Sequence, residues 1–208
     1  MTRVWRLGIA RRKPLQERAQ ATVAAILEAA VDVIDRGGWD HASTNRIATR
    51  AGVSIGSLYQ YFPNKDAILA ALFETHRHEV HEVIAWCLLR LADPNENVEA
   101  VLRGMFSALI DLHRKDPALT RVLSTAVPPC PPAEHRKDDA TMTEILADVL
   151  RSRPDVRLRD PSAAAHVLSV ATEALSIWLV HQAPSGFEAG RLLDEIVDMV
   201  CRYVLVSR

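Results

Sequence analysis

Hydrophobic residues recur along most of the chain at spacings of three and four, and no segment alternates apolar and polar positions for long. The first helical stripe comprises Val23, Ile26, Leu27, Ala30, Val33 and Ile34. Gly37 and Gly38 follow it and predict the end of that helix. Because a spacing of three and four places apolar residues on one face of a helix, the pattern indicates an all-α protein.

Two short helices are predicted next. Ser43-Thr44 and Ser54 supply hydroxyl N-caps, and Gly52 separates the two segments. Helices of this length do not persist alone, so they must pack against each other. The residues available for that shared core are Ile47, Ala48, Ala51, Val53, Leu58 and Phe62.

The rest of the chain also follows the helical period. Further helices are predicted at about 64–91, 96–115, 117–126, 136–152, 161–182 and 187–206. Residues 127–133 contain four prolines, which remove hydrogen-bond donors and fix φ, so we expect a stiff surface connector there. A second loop is expected at Arg153-Pro154-Asp155.

Composition and charge narrow the class of protein. Hydrophobic residues make up 49% and charged residues 25%, which is ordinary for a globular chain. Residues 1–65 carry a net charge of +5 and residues 66–208 a net charge of −6, so a basic first third suggests contact with a polyanion. The three cysteines form no CxxC pair, and the apolar stretch 163–183 is interrupted by polar residues. We therefore expect a soluble, cytoplasmic protein.

The second short helix has a face suited to DNA. Outside the shared core it offers Ile55, Gly56, Ser57, Tyr59 and Gln60, with no carboxylate among them. Gln can form paired hydrogen bonds with an adenine edge, and apolar groups can contact thymine methyls. Such a face predicts a helix that enters the major groove.

The segment A-G-V-S-I-G-S-L-Y-Q-Y-F-P-N-K-D-A-I-L resembles the DNA-binding domain of the TetR family of bacterial regulators. Gly52, Ser57-Leu58-Tyr59, Tyr61-Phe62 and Lys65 occupy positions that the family pattern expects, and the resemblance covers roughly residues 18–75. Five basic and no acidic residues in 1–13 predict a basic arm at 1–14. The resemblance implies a three-helix helix-turn-helix domain at 15–65 and a larger helical ligand-binding and dimerisation domain at 66–208. It also implies a repressor that a small molecule releases from a palindromic operator, without a cofactor.

The resemblance also implies the residues that contact DNA. They are Thr44, Asn45, Ile55, Gly56, Ser57, Tyr59, Gln60, Tyr61 and Lys65. Gln60 is the expected base reader, whereas Tyr61 and Lys65 are expected to bind phosphates. Ile55 stands where many members have Lys or another polar residue, which favours a methyl or sugar contact at that position.

The two last helices suggest how a dimer forms. The helix at about 161–182 has two neighbouring apolar stripes, and the helix at 187–206 has one seam formed by Leu193, Ile196, Val197, Val200 and Val204. A four-helix interface between two identical chains explains both, although both helices could instead lie inside one protomer. The other helices would enclose a ligand pocket with the candidate residues His76, Trp86, Met105, Phe106, Leu109, His113 and Trp178.

The sequence leaves three alternatives to this interpretation. His76, His78 and His81 with neighbouring glutamates resemble metal ligands, but His76 lies on the apolar stripe and the three do not converge, so no metal site is predicted. An enzyme is not predicted, because phosphate-loop, HExxH and dinucleotide motifs are missing from the sequence and no converging titratable groups are visible in it. A constitutive DNA binder without a ligand remains open, as does the choice between a DNA contact and a solvated tail for the basic arm.

Overall fold

The computed structural model describes residues 14–126, 133–181 and 188–205, and within these ranges it forms nine α-helices and no strand. The prediction of an all-α fold is confirmed. The helices are α1 Pro14–Gly37, α2 Thr44–Ala51, α3 Ile55–Tyr61, α4 Lys65–Leu91, α5 Val98–Lys115, α6 Pro117–Ala126, α7 Ala133–Ser152, α8 Pro161–His181 and α9 Ala189–Val204. The basic arm before Pro14 and nearly all of the proline-rich connector lie outside the described residues.

The chain divides into two compact units. The first comprises the described residues up to His78 and residues 118–126, and the second comprises residues 79–117, 133–181 and 188–205. The division lies inside α4 rather than at the expected boundary after residue 65. The reason is that Ile68, Leu69 and Leu72 of α4 are buried in the core of the first unit.

Local hydrogen bonds set the ends of α2 and α3. The Ser43 hydroxyl accepts a bond from the amide of Arg46 at 3.3 Å, and the Ser54 hydroxyl accepts one from the amide of Ser57 at 3.0 Å. Gly52 ends α2 with φ of 70°, a left-handed conformation that side chains disfavour. The N-caps and the glycine stop predicted from the sequence are therefore confirmed.

The core of the first unit holds the two short helices in place. Ile26 and Leu27 of α1, Ile47 of α2 and Leu58 of α3 are fully buried in one hydrophobic cluster. Burial of a large aliphatic side chain stabilises a fold by about 1.5–3 kcal/mol. This burial stabilises α2 and α3, which are too short to be stable as isolated helices. Helix α6 joins the same cluster, and its Arg121 pairs with Asp35 of α1 at 2.7 Å.

Arg153, in the loop after α7, connects this loop to the end of α4 and to the loop that follows α4. Its side chain is 2% exposed and makes six hydrogen bonds, two to the carboxylate of Asp155 and four to backbone carbonyls. The carbonyls belong to the end of α4 and to the loop that follows it, namely those of Leu91, Asp93, Pro94 and Glu96. Carbonyls at a helix C-terminus lack partners within the helix, so Arg153 satisfies groups that burial would otherwise penalise.

The apolar seam of α9 lies inside the protomer. Ile196, Val197, Val200 and Val204 are buried in the core of the second unit, with Val197 at 0% exposure. The sequence interpretation of this seam as part of a dimer contact does not fit that burial. A continuous stripe on an amphipathic helix has the same pattern whether it meets its own core or a second chain.

Helix α8 keeps an apolar face exposed. Val167 is 60% exposed and Val170 is 68% exposed, while Ala164 and Leu179 on the other side are buried. Within the described ranges α8 alone has the length and composition of a membrane-crossing helix, and 22% of its most apolar window is buried. Core helices of soluble proteins meet the same criterion.

Candidate nucleic-acid interface and cavity

Helix α3 separates its core residues from its exposed residues. Leu58 and Phe62 are buried, while Ile55, Gly56 and Gln60 are exposed and Tyr59 is 52% exposed. Asn45 of α2 and Tyr61 of α3 are exposed as well. Neither α2 nor α3 contains a carboxylate, so nothing within the two helices repels a phosphate backbone.

Two hydroxyl contacts order the exposed groups. The hydroxyls of Thr44 and Tyr59 lie 3.1 Å apart and join the start of α2 to the middle of α3. The hydroxyls of Ser54 and Ser57 lie 2.8 Å apart at the start of α3. Each hydroxyl both donates and accepts, so both pairs can still offer a hydrogen bond to a nucleic acid.

Lys65, the first residue of α4, is positioned by Trp39. Its ammonium donates a hydrogen bond to the Trp39 carbonyl at 3.1 Å and lies 4.4 Å from the centroid of the indole ring. An ammonium has three donors, so the bond to Trp39 leaves others for a phosphate. The Asn64 side chain accepts from the amide of Ala67 at 2.8 Å and caps the same helix end.

Both arginines of α2 form hydrogen bonds with other residues of the first unit. Arg50 bonds Asp32 of α1 at 2.5 Å, and this contact lowers the pKa of the Asp32 carboxyl. Arg46 donates to the carbonyl of His41 at 2.9 Å. These contacts fix the positions of both guanidinium groups, and the charge of Arg50 is balanced by Asp32.

The second unit encloses a cavity of about 450 Å³, within the usual size range for small-molecule sites. Helices α4, α5, α7, α8 and α9 all contribute to its wall. Three of the predicted pocket residues, Met105, Leu109 and His113, lie on α5 and line it. Cys87 lines it too, and burial raises the pKa of that thiol to about 12.

Four predicted pocket residues are not in the cavity wall. His76 is buried in the first unit, and burial lowers the pKa of its imidazole to about 4. Phe106 is fully buried in the core, and Trp178 packs against that core. Trp86 is 43% exposed, with its ring against Gly104 and the Arg90 guanidinium 5.2 Å from its centroid.

Other lining residues were not singled out from the sequence. They include Ile84, Leu102, Thr143, Arg153 and Ser176. The aliphatic members carry no signal that separates them from core, because both environments require the same residue types. The sequence places Arg153 in a loop, and the carboxylate of Asp155 is the ion-pair partner that the sequence offers two residues away.

Two family models match the chain. Residues 26–72 match the family described as "Bacterial regulatory proteins, tetR family", and residues 98–203 match "Tetracyclin repressor-like, C-terminal domain". The first match contains α2, α3 and the start of α4, which carry the exposed groups described above. The second contains α5, α7, α8 and most of α9.

Curated relatives match over part of their length. The nucleoid occlusion factor SlmA of Glaesserella parasuis serovar 5 is 27% identical over 114 residues, 54% of this chain and 52% of that protein. The fatty acid metabolism regulator protein of Bacillus subtilis is 34% identical over 88 residues, 42% of this chain and 45% of that protein. The chain thus spans about half the length of these curated relatives.

A solved structure supports the fold over nearly the whole chain. NalD, the secondary repressor of the MexAB-OprM multidrug efflux pump in Pseudomonas aeruginosa, has a TM-score of 0.65 at 18% identity. The similarity covers 92% of this chain and 100% of NalD. Since the C-terminal family model alone matches more than half of the 208 residues, the chain belongs to the TetR family of bacterial regulatory proteins.

Proposed function

We propose that this protein is a homodimeric transcriptional repressor of the cytoplasm, which a small molecule releases from a palindromic operator. The observation that carries the proposal is the exposed, carboxylate-free face of α3, held on a core formed by Leu58 and Phe62. The hydrogen-bonding tips and the glycine of this face match what a major groove requires.

In this proposal the exposed groups divide into two roles. Gln60 reads bases from the middle of α3, and Ile55, Gly56, Ser57 and Tyr59 bring the helix close to the groove. Lys65 and Tyr61 bind phosphates, as do Thr44 and Asn45 at the start of α2. The fixed position of Lys65 over Trp39 supports the phosphate role, because a pre-positioned ammonium loses little conformational freedom on binding.

The exposed apolar face of α8 supports the dimer. It comprises Ala163, Val167, Val170 and Ala174, spaced so that they share one side of the helix. Small and β-branched residues allow close approach of a second helix, and water contact with such a stripe is unfavourable. A second copy of the chain, packed through α8 and the exposed side of α9, would cover it.

The cavity supports the ligand response. Helix α4 carries Lys65 in the first unit and cavity residues such as Ile84 and Leu88 in the second. A ligand that shifts the second half of α4 would change the spacing of the two DNA-reading helices in a dimer. Ligand and operator would then bind with negative coupling of about 1–3 kcal/mol.

Selection of bound sequences from randomised duplex DNA tests this proposal. We expect one enriched motif with two inverted half-sites centred about 34–36 Å apart along the duplex, or a multiple of that spacing. The purified full-length protein at physiological salt is the sample. Enrichment of no motif, or of a motif without twofold symmetry, would contradict the proposal.

A second candidate is a DNA-binding protein with no effector. The name of the Glaesserella parasuis relative, a nucleoid occlusion factor, favours it. The two candidates differ in one result, because only the first requires a small molecule to weaken operator binding. Titration of operator affinity against compounds that raise the melting temperature of the protein separates them.

A further inference from the structure

Three contacts fix how α4 and α5 lie along the cavity. Glu79 pairs with Lys115 at 3.4 Å, the Trp86 ring lies against Gly104, and Arg90 pairs with Glu96 at 2.7 Å. The two helices are therefore antiparallel, with the start of the cavity-lining part of α4 beside the end of α5. Any lining residue on either helix can be assigned to one end of the cavity or to the other.

The lining of this helix pair changes from polar to aliphatic along its length. His81 and His113 lie at the end marked by Glu79 and Lys115, which we name the polar end. The residues that line the cavity from there to the other end are apolar on both helices, finishing at Leu91 and Val98. Ten helical residues separate His81 from Leu91, a distance of about 15 Å along the helix axis.

Contacts of α7, α8 and α9 show which of their residues lie at the other end of the cavity. Arg151 of α7 bonds Ser162 of α8 at 2.6 Å, while the Arg157 amide bonds the Val204 carbonyl of α9 at 3.1 Å. Because Arg153 ties this region to Leu91, these contacts belong to the end opposite His81, which we name the aliphatic end. Its further lining residues are Leu150, Val156, Val200 and Val204.

Polar lining residues of α7 lie away from that end, whereas those of α8 begin with the exposed His166, about 6 Å beyond Ser162, and continue through Ser169 and Thr172. Thr143 is about 10 Å before Leu150 along α7, and Glu173 and Ser176 are about 16–21 Å beyond Ser162 along α8. They therefore lie toward the polar end, with His81 and His113. The walls formed by α4, α5 and α7 are thus polar at one end of the cavity and aliphatic at the other, and the α8 wall carries polar residues along its length.

The residue types of the lining favour a ligand with a flexible alkyl chain over a flat aromatic ligand. Among the described residues that line the cavity there is no Phe, Tyr or Trp to stack on an aromatic ligand. Met105, Met142 and several leucines supply soft aliphatic walls instead. Such walls accommodate an alkyl chain, whose burial away from water favours binding.

The charges of the lining disfavour an anionic head group. Arg153 is the one Lys or Arg among the described lining residues, and its hydrogen bonds to Asp155 and to four carbonyls occupy all of its donors. It also lies at the aliphatic end. The described carboxylate of the lining, that of Glu173, lies toward the polar end. The histidines, Thr143 and Ser176 there match a neutral hydrogen-bonding group.

We propose that the cavity binds a straight aliphatic molecule with an uncharged hydrogen-bonding head group, its chain toward Leu91 and Val200 and its head toward His81 and His113. This rests on the proposed function in one respect, namely that the cavity receives the effector. Long-chain alcohols and methyl ketones belong to this class, and free fatty acids do not.

Isothermal titration of the full-length protein without DNA tests the head group. Dodecanol and sodium dodecanoate, each below its aggregation limit at pH 7.5, are the two probes. We expect one dodecanol to bind per chain. We expect dodecanoate to bind at least about tenfold more weakly, because no cation of the described lining compensates the charge of its carboxylate. Equal or tighter binding of dodecanoate, or failure of dodecanol to bind, would overturn the proposal.

A second measurement tests the direction of the chain. Leu102→Phe narrows the cavity toward the aliphatic end, so the preferred alcohol should shift from dodecanol to octanol. Leu89→Phe adds the same bulk at an exposed position of α4 and should leave the preference unchanged. If Leu102→Phe does not fold, Val98→Leu offers a smaller filling change at the same end. An unchanged chain-length preference in a folded filling variant would contradict the proposed orientation.

Operator release is measured separately, so that the two proposals fail in different ways. If dodecanol binds as expected but leaves operator affinity unchanged, the effector role fails and the ligand class stands. If another class of molecule fills the cavity and releases the operator while dodecanol does not bind, the ligand class is wrong and the regulatory role stands.

Discussion

The hydroxyl of Thr44, the first residue of α2, lies 3.1 Å from the hydroxyl of Tyr59 on α3. We expect Tyr59→Phe to weaken operator binding while changing the free energy of unfolding by less than about 1 kcal/mol, because this exposed pair stabilises the fold only modestly. Filter binding or fluorescence anisotropy gives the affinity, and urea unfolding gives the stability.

A double-mutant cycle tests whether the pair acts as a unit on DNA. Thr44→Val, Tyr59→Phe and the double variant should show a coupling of about 0.5–3 kcal/mol in operator binding. Additive effects would mean that the two side chains contact DNA independently and that their mutual bond does not orient them.

Gly56 offers a test with a matched control. A Cβ at Gly56 would meet only the Ser54 hydroxyl at 3.8 Å, and a Cβ at Gly190 would meet nothing within 4 Å. Both glycines are second residues of their helices, so Ala at either position should stabilise the fold by up to about 1 kcal/mol. Gly56→Ala should nevertheless weaken operator binding, and Gly190→Ala should not. Unchanged operator affinity in Gly56→Ala would show that the α3 backbone does not approach the groove.

Lys65 is expected to contribute affinity without sequence preference. Lys65→Ala should weaken binding to all duplexes alike and reduce the slope of log K against log salt by roughly one per site, or about two per dimer. The competing role is structural, since Lys65 already bonds Trp39. A purely structural role would lower the melting temperature and leave the salt slope as it is.

The exposed face of α8 is expected to form the dimer. Val167→Glu would place a charge on this face, and burying that charge in an interface costs several kcal/mol, so light scattering should show monomers. Leu89→Glu adds the same charge at a position of α4 that is 78% exposed, and it should remain dimeric. A Val167→Glu variant that is both folded and dimeric would place the interface elsewhere.

The helices of this fold follow closely from the sequence because their signals are local. Predicted boundaries at 64–91 and 117–126 match α4 and α6 to within one residue. Helix α5 begins at Val98 rather than near residue 96, because the Asn97 side chain accepts from the Ala100 amide at 3.0 Å and caps the helix there. Caps and glycine stops act over three or four residues, within reach of a sequence pattern.

The site follows from the sequence only in part. The exposed face of α3 was predictable because Leu58 and Phe62 mark the opposite, buried face. The cavity wall was not, since Phe106 and Leu109 lie on one helix and are alike in type, yet only Leu109 lines the cavity. Whether Val197 faces the core of its own protomer or a second chain depends on which helix packs against α9. Such contacts join residues far apart in sequence, so a local pattern does not predict them.

Competition of operator duplexes for wild type and Gln60→Ala tests whether α3 reads the operator through Gln60. Each duplex carries one symmetric pair of base substitutions, so the affinities give the discrimination at every position. The wild-type protein should discriminate by about 1–3 kcal/mol at the pair of positions that Gln60 contacts. Gln60→Ala should lose that discrimination alone and keep its affinity for non-specific DNA. If Gln60→Ala retains the full wild-type preference, Gln60 does not read the operator.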